Sequence, residues 1–150
     1  MASSITGFGG VASNVAPRVQ PEIIVPVLQV EKIEKKIDVE EYIRNYFSDI
    51  PIMVEIARCE SQFRQHDKSG KALRGEANDL DRGVMQINEF YHNDTSSKLG
   101  YDLLTIEGNT AYARALFEKQ GVKPWASSSR CWTKTTAYAD YKEDRELAMR

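Results

Sequence analysis

Ile56-Ala57-Arg58-Cys59-Glu60-Ser61-Gln62-Phe63 and Asp81-Arg82-Gly83-Val84-Met85-Gln86-Ile87-Asn88 are the two most informative stretches of the chain. The first closes an apolar run opened by Pro51, a residue tolerated in the first helical turn because its missing N–H has no partner there in any case. Ile52, Ile56, Cys59 and Phe63 recur on one helical face. Glu60 stands one turn beyond Ile56, which puts it at the edge of that buried face and not opposite it. The second stretch is led by a glycine, which lets backbone pass close to another group, and carries Gln86, whose amide both donates and accepts.

Outward from these stretches the pattern predicts a mainly helical domain over residues 38–132. Asp38 can cap a first helix with Glu41 at capping-box spacing, after which Val39, Tyr42, Ile43, Tyr46 and Phe47 share a face. Residues 64–82 are rich in Asp, Lys, Gly, Ser and Asn and read as a loop or short hairpin. Within them Asp67-Lys68-Ser69-Gly70 lacks the alternating ligands and closing glutamate of a calcium loop, so a turn is expected. Asn109 is placed to cap a further helix, with Ala113, Leu116, Phe117 and Gln120 on one side and Gly121 as its stop. Residues 133–150 are mostly charged and predict a solvated helical tail. Residues 1–37 read as an extended arm, because prolines at 17, 21 and 26 deny Ile23-Ile24-Val25-Pro26-Val27-Leu28 a central place in a sheet. A linker is the other reading of this arm, but its apolar content is high for one and leaves open docking on an assembly partner.

Composition narrows the function. In 150 residues there is room for one domain with tails. Twenty basic against 22 acidic residues, with no long Lys/Arg cluster, make nucleic acid a poor partner and a neutral or mixed-charge polymer a better one. No 20-residue apolar span is present, so no membrane crossing is expected. Met1-Ala2-Ser3-Ser4-Ile5-Thr6-Gly7-Phe8-Gly9-Gly10 has neither the basic start nor the apolar core of a secretory signal. His66 and His92 stand without acidic or cysteine neighbours at ligand spacing, so both are expected in solvent or turns and no metal site is predicted. Ser61 has no companion histidine for a serine hydrolase, and its hydroxyl is expected to orient Glu60.

A carboxyl with apolar surroundings keeps its proton toward neutral pH and can act as a general acid, a role open to Glu60. Glu60-Ser61 with Phe63, then Gly83-Val84-Met85-Gln86-Ile87-Asn88, then Asn109 opening a helix, resembles the soluble lytic transglycosylase domain of the lysozyme-like superfamily. The resemblance covers roughly residues 50–132 and implies an α+β lysozyme-like fold with a glycan groove beside a helical lobe. It implies that Glu60 is the acid/base for cleaving the β-1,4 link between N-acetylmuramic acid and N-acetylglucosamine, without a cofactor. It further implies that Gly83, Val84, Met85, Gln86 and Ile87 line the groove. The chain departs from the family's third motif, with Leu116 and Phe117 where a tyrosine is common, while Tyr112 lies earlier and reads equally as groove or core. Trp125 is expected more readily in the core than against a sugar face.

Asp81, two residues before the glycine, matches the second carboxylate of animal-type lysozymes and would allow hydrolysis. The transglycosylase route, in which the sugar's C6 hydroxyl displaces the bond, is the expectation here, with a turn aspartate as the bland reading of Asp81. A wall-binding structural component of a phage particle or secretion assembly is a further alternative. The site of action is expected to be the periplasm or cell wall, reached after loss of a leader or by carriage in a phage particle. Cys59 and Cys131 read either as two buried thiols or as a bridge. The bridge is favoured because each cysteine flanks a motif that must be held in place, and closing so long a loop contributes about 4 kcal/mol in the chain-entropy model.

Overall fold

A computed structural model describes residues 37–150; the expected N-terminal arm, apart from Ile37, and the partner-docking role read into it lie outside the described residues. The fold is mainly helical with one small two-stranded sheet. Helix α1 (Val39–Tyr46) starts as expected, with the Asp38 carboxylate accepting the Glu41 N–H at 3.1 Å. Its apolar face buries Ile43 and Phe47 completely and lays Tyr42 and Tyr46 against the core.

Helix α2 (Pro51–Ser61) is the centre of the molecule. Met53, Val54 and Ala57 are buried along with Ile52 and Ile56, so the apolar surface is wider than the one stripe read from the sequence. A helix apolar on most sides is one covered on most sides, and α2 packs against α1, the 3₁₀ helix Lys123–Ser128, α5 (Ser129–Trp132) and α6 (Thr136–Ala148). Directly after it, Gln62 and Phe63 adopt left-handed backbone at φ 56° and 59°. For residues with a Cβ such a conformation carries about 1–2 kcal/mol each, and local bonds hold it. The Ser61 hydroxyl donates to Ala57 O at 3.1 Å and accepts the Arg64 N–H at 3.2 Å.

Within residues 64–82 a short hairpin forms between Gln65 and Leu73. Leu73 N–H donates to Gln65 O at 2.9 Å and Asp67 N–H to Lys71 O at 2.8 Å. The Asp67 carboxylate accepts the Ser69 and Lys71 amides around Gly70, making the expected turn. Strands β1 (Asp81–Arg82) and β2 (Ile87–Asn88) pair antiparallel, with Asp81 opposite Asn88 and Arg82 opposite Ile87. Arg82 is buried, and its guanidinium is neutralised by Glu89 at the start of α3 (Glu89–Lys98).

Two sequence expectations are corrected here. The helix read as starting at Asn109 is α4 (Ile106–Gln120), and its cap is Thr105, whose hydroxyl accepts the Gly108 N–H at 3.1 Å. Asn109 lies a turn inside and fully buried, with its amide spent on another segment. Gly121 does end the helix, at φ +62°. The second correction concerns residues 133–150, which are not simply a solvated tail. Although α6 buries no residue fully, Tyr138 and Tyr141 pack against the core, with ring centroids 5.3 Å from Trp132 and 5.7 Å from Phe117 respectively. Cys59 and Cys131 form a disulfide with Cα atoms 6.0 Å apart, tying the end of α2 to α5. No described helix is long and apolar enough to cross a membrane.

Candidate active site

Glu60 occupies the last turn of α2 and looks into a small polar cavity of about 150 Å³. Asp81 and Asn88 reach it from the paired strands, and Gln86 and Ile87 from the turn and strand between them. His92 enters from α3, Leu116 from α4, and Pro124, Trp125 and Ser127 from the 3₁₀ helix. A larger hollow of about 600 Å³ runs along α6, but its carboxylates, Glu143 and Glu146, are exposed on a helix face. The smaller cavity joins a partly buried carboxyl, Glu60, to a second one, Asp81.

Burial holds the Glu60 carboxyl above the usual carboxylate range. A hydrogen bond from Ser128 pulls the other way, and the charge of Asp81 adds to the rise. Desolvation therefore outweighs the bond, and the group retains its proton to a higher pH than a solvated glutamate. The Ser128 hydroxyl lies 2.6 Å from Glu60 Oε1. Asp81 Oδ1 accepts the Asn88 amide at 2.8 Å and the Asn78 amide at 3.4 Å. Asn88 Oδ1 is buried without a hydrogen-bond partner among the described residues.

The glycine-led motif divides into two parts with different work. Gln86 and Ile87 line the cavity, whereas Gly83, Val84 and Met85 are buried beneath it and do not. Val84 N–H donates to Gln65 Oε1 and Met85 N–H to Asn109 Oδ1, both at 2.9 Å. Asn109 also donates to Arg82 O and Leu103 O at 2.9 Å. Gln65 and Asn109 thus serve as a buried cradle for the turn. Gly83 has φ +67°, and a Cβ there would sit 2.7 Å from the amides of both Gln65 and Asn109. Its glycine is required by these side chains, not by a ligand. Gly83→Ala is therefore expected to destabilise the fold by about 2–3 kcal/mol from left-handed backbone and crowding together, read as a lowered urea midpoint with an unchanged slope.

No family model, curated protein or solved structure matches the chain.

Several assigned roles move accordingly. Ser61 is buried and closes the end of α2, so it does not orient Glu60; Ser128 does. Tyr112 is buried and absent from the cavity wall, but its hydroxyl lies 2.9 Å from His92 Nδ1 and fixes that ring. Burial lowers the proton affinity of His92, which favours a neutral imidazole at the cavity. His92 is half-exposed on α3 with its ring against Tyr112, while His66 is exposed. Trp125 takes both of its readings at once, being buried in the core, donating its indole N–H to Met85 O at 3.0 Å and presenting an edge to the cavity. Ser127, Ser128, Asn88 and His92 carried no helical or strand periodicity that would have marked them. The run Ser127-Ser128-Ser129 between two tryptophans was the one compositional sign.

Proposed function

We propose that this domain cleaves the β-1,4 bond between N-acetylmuramic acid and N-acetylglucosamine in peptidoglycan, with Glu60 as acid and then base. The observation that carries this reading is a half-buried carboxyl of raised proton affinity facing a polar cavity, with a second carboxylate on the same wall. Glycosidic cleavage asks for these groups, since one must deliver a proton while still protonated near neutral pH. Two-carboxylate logic of this kind is the handling of Glu and Asp known from lysozyme, taken over here as a scheme. The resemblance of Glu60-Ser61 and Gly83–Asn88 to soluble lytic transglycosylase motifs supports the glycan as substrate.

The route proposed is the transglycosylase one. Glu60 protonates the leaving oxygen, then accepts the proton of the muramic C6 hydroxyl as that oxygen closes on C1. Asp81 has a structural occupation of its own in this scheme, because its carboxylate ties β1 to β2 through the Asn88 amide. Hydrolysis is the second reading, favoured by the presence of Asp81 in the cavity and by its charge acting on Glu60. No cofactor takes part in either. The Cys59–Cys131 disulfide supports action outside a reducing cytoplasm, at the wall or in its periplasmic space.

Mass spectrometry of fragments released from purified sacculi tests all of this. Anhydromuramic ends, one water lighter than reducing ends, are expected; reducing ends would give the reaction to hydrolysis, and an uncut sacculus would reject the activity. Asp81→Asn is expected to lower turnover by about tenfold or less, the scale of one weakened interaction with a charged group. A loss as severe as that of a Glu60 variant would make Asp81 the second catalytic carboxylate.

A further inference from the structure

We propose that Ser128 is the positioning residue for Glu60, directing the exchanging proton to one carboxyl oxygen, Oε2, by keeping the other, Oε1, as an acceptor throughout the reaction. The inference rests on the reading of Glu60 as acid and base, and names what selects its working oxygen. Three polar atoms surround the Ser128 hydroxyl: Glu60 Oε1 at 2.6 Å, Trp132 Nε1 at 2.9 Å and Trp125 O at 3.1 Å. An indole N–H can only donate, so Trp132 occupies a lone pair of the Ser128 oxygen and leaves its single hydrogen for one of two acceptors. Trp125 O is the longer contact and already faces the Trp132 N–H at 3.3 Å. The hydrogen therefore goes to Glu60 Oε1, at a separation within the range of about 2.5–2.7 Å for a hydroxyl bound to a carboxylate.

The consequence for proton transfer follows from counting hydrogens. With Oε1 accepting from Ser128, the acid form of Glu60 carries its proton on Oε2. In the first step that proton passes to the bridging oxygen as the C1–O bond breaks and its electron pair stays with the oxygen. In the second step the attacking hydroxyl forms the new C1–O bond and its proton returns to Oε2, so the carboxyl ends as it began. Ser128 donates to Oε1 during both steps. An N–H donating into the Ser128 oxygen polarises its O–H and strengthens the bond to Glu60. The disulfide joins the residue before Glu60 to the residue before Trp132, which fixes the two ends of this short relay.

The test reads Glu60 directly, by the pH titration of its side-chain carboxyl carbon in the full chain by NMR without substrate, beside steady-state kinetics on sacculi. The other titratable groups on the cavity are Asp81 from β1 and His92 from α3, and their titrations are followed in the same spectra. Ser128→Ala is expected to move the Glu60 titration upward, because its ionised form loses a donor, and to lower kcat by about 10–100-fold with KM little changed. Ser128→Thr, which keeps the hydroxyl, is expected to restore both. Trp132→Phe, which keeps a ring but removes the N–H, is expected to shift the titration in the same direction by less, and it carries the test if the Ala variant does not fold. A Glu60 titration unmoved in the folded variant overturns the proposal. If Glu60 responds but sacculi are not cut by wild type, the relay stands and the proposed reaction falls.

Discussion

Glu60→Gln is expected to lower glycan cleavage by about 10²–10⁴-fold, the usual contribution of a positioned acid/base, without loss of the fold. The amide keeps the shape and still offers an oxygen to Ser128 at the Glu60 Oε1 position, but it has no proton to deliver and no lone-pair charge to receive one. The same substitution is expected to raise stability near neutral pH, with a definite pH dependence. The folded-state pKa of Glu60 lies above its ordinary value of 4.5, chiefly through burial. The native state therefore binds more protons than the unfolded chain between the two values, and stability falls as pH rises through that window. Below the unfolded value the penalty is absent; above the folded value it is complete. Denaturant unfolding of both proteins across this range should show the Gln variant gaining on wild type as pH rises and then holding a constant lead. A folded Gln variant with full activity would defeat the assignment of Glu60.

Replacing both cysteines by alanine is the second large effect. The bridge spans a sequence separation of 72, and releasing such a loop in the unfolded chain is worth about 4 kcal/mol in the chain-entropy model. Against a typical domain stability of about 5–15 kcal/mol that is a large share, so the variant is expected to melt far below wild type and to be marginal at growth temperature. Its loss should also be felt at Glu60, because the bond links Cys59, one residue before the acid, to Cys131, one residue before the tryptophan that anchors Ser128. Oxidised wild type should have an intact mass two hydrogens below its reduced form. Unchanged denaturant midpoints in the alanine variant, with wild type verified as oxidised, would show that packing alone holds α2 to α5.

Much of this was legible where a local signal and a tertiary need coincide. Asp38 caps α1 because a carboxylate before an amphipathic run satisfies free amides whatever surrounds it, and Pro51 and Gly121 mark helix ends for equally local reasons. The position of Glu60 at a helix edge followed from periodicity. Helix α3 gave no such signal: it buries only Ser96 and exposes Phe90 and Tyr91, so no apolar stripe betrays it. Asparagine is a good cap in isolation, but the amide of Asn109 is claimed by a turn 24 residues away in sequence. Ser128 reaches Glu60 across 68 residues, a relation set by the packing of the 3₁₀ helix and not by any nearby pattern.

The division of the glycine-led turn decides how the protein could be redesigned. Gly83, Val84 and Met85 belong to the foundation, since Gln65 and Asn109 hold two of their three amides from below and leave no room for a larger residue at Gly83. A library aimed at new glycan preferences that varies these three positions would return mostly unfolded clones. The rim positions whose side chains make no hydrogen bond to that foundation are His92 and Ser127, whereas Gln86 donates its amide to Gly83 O at 2.8 Å. Selectivity could thus be varied at two separately supported points while the acid, its hydroxyl partner and the turn beneath them remain a fixed chassis.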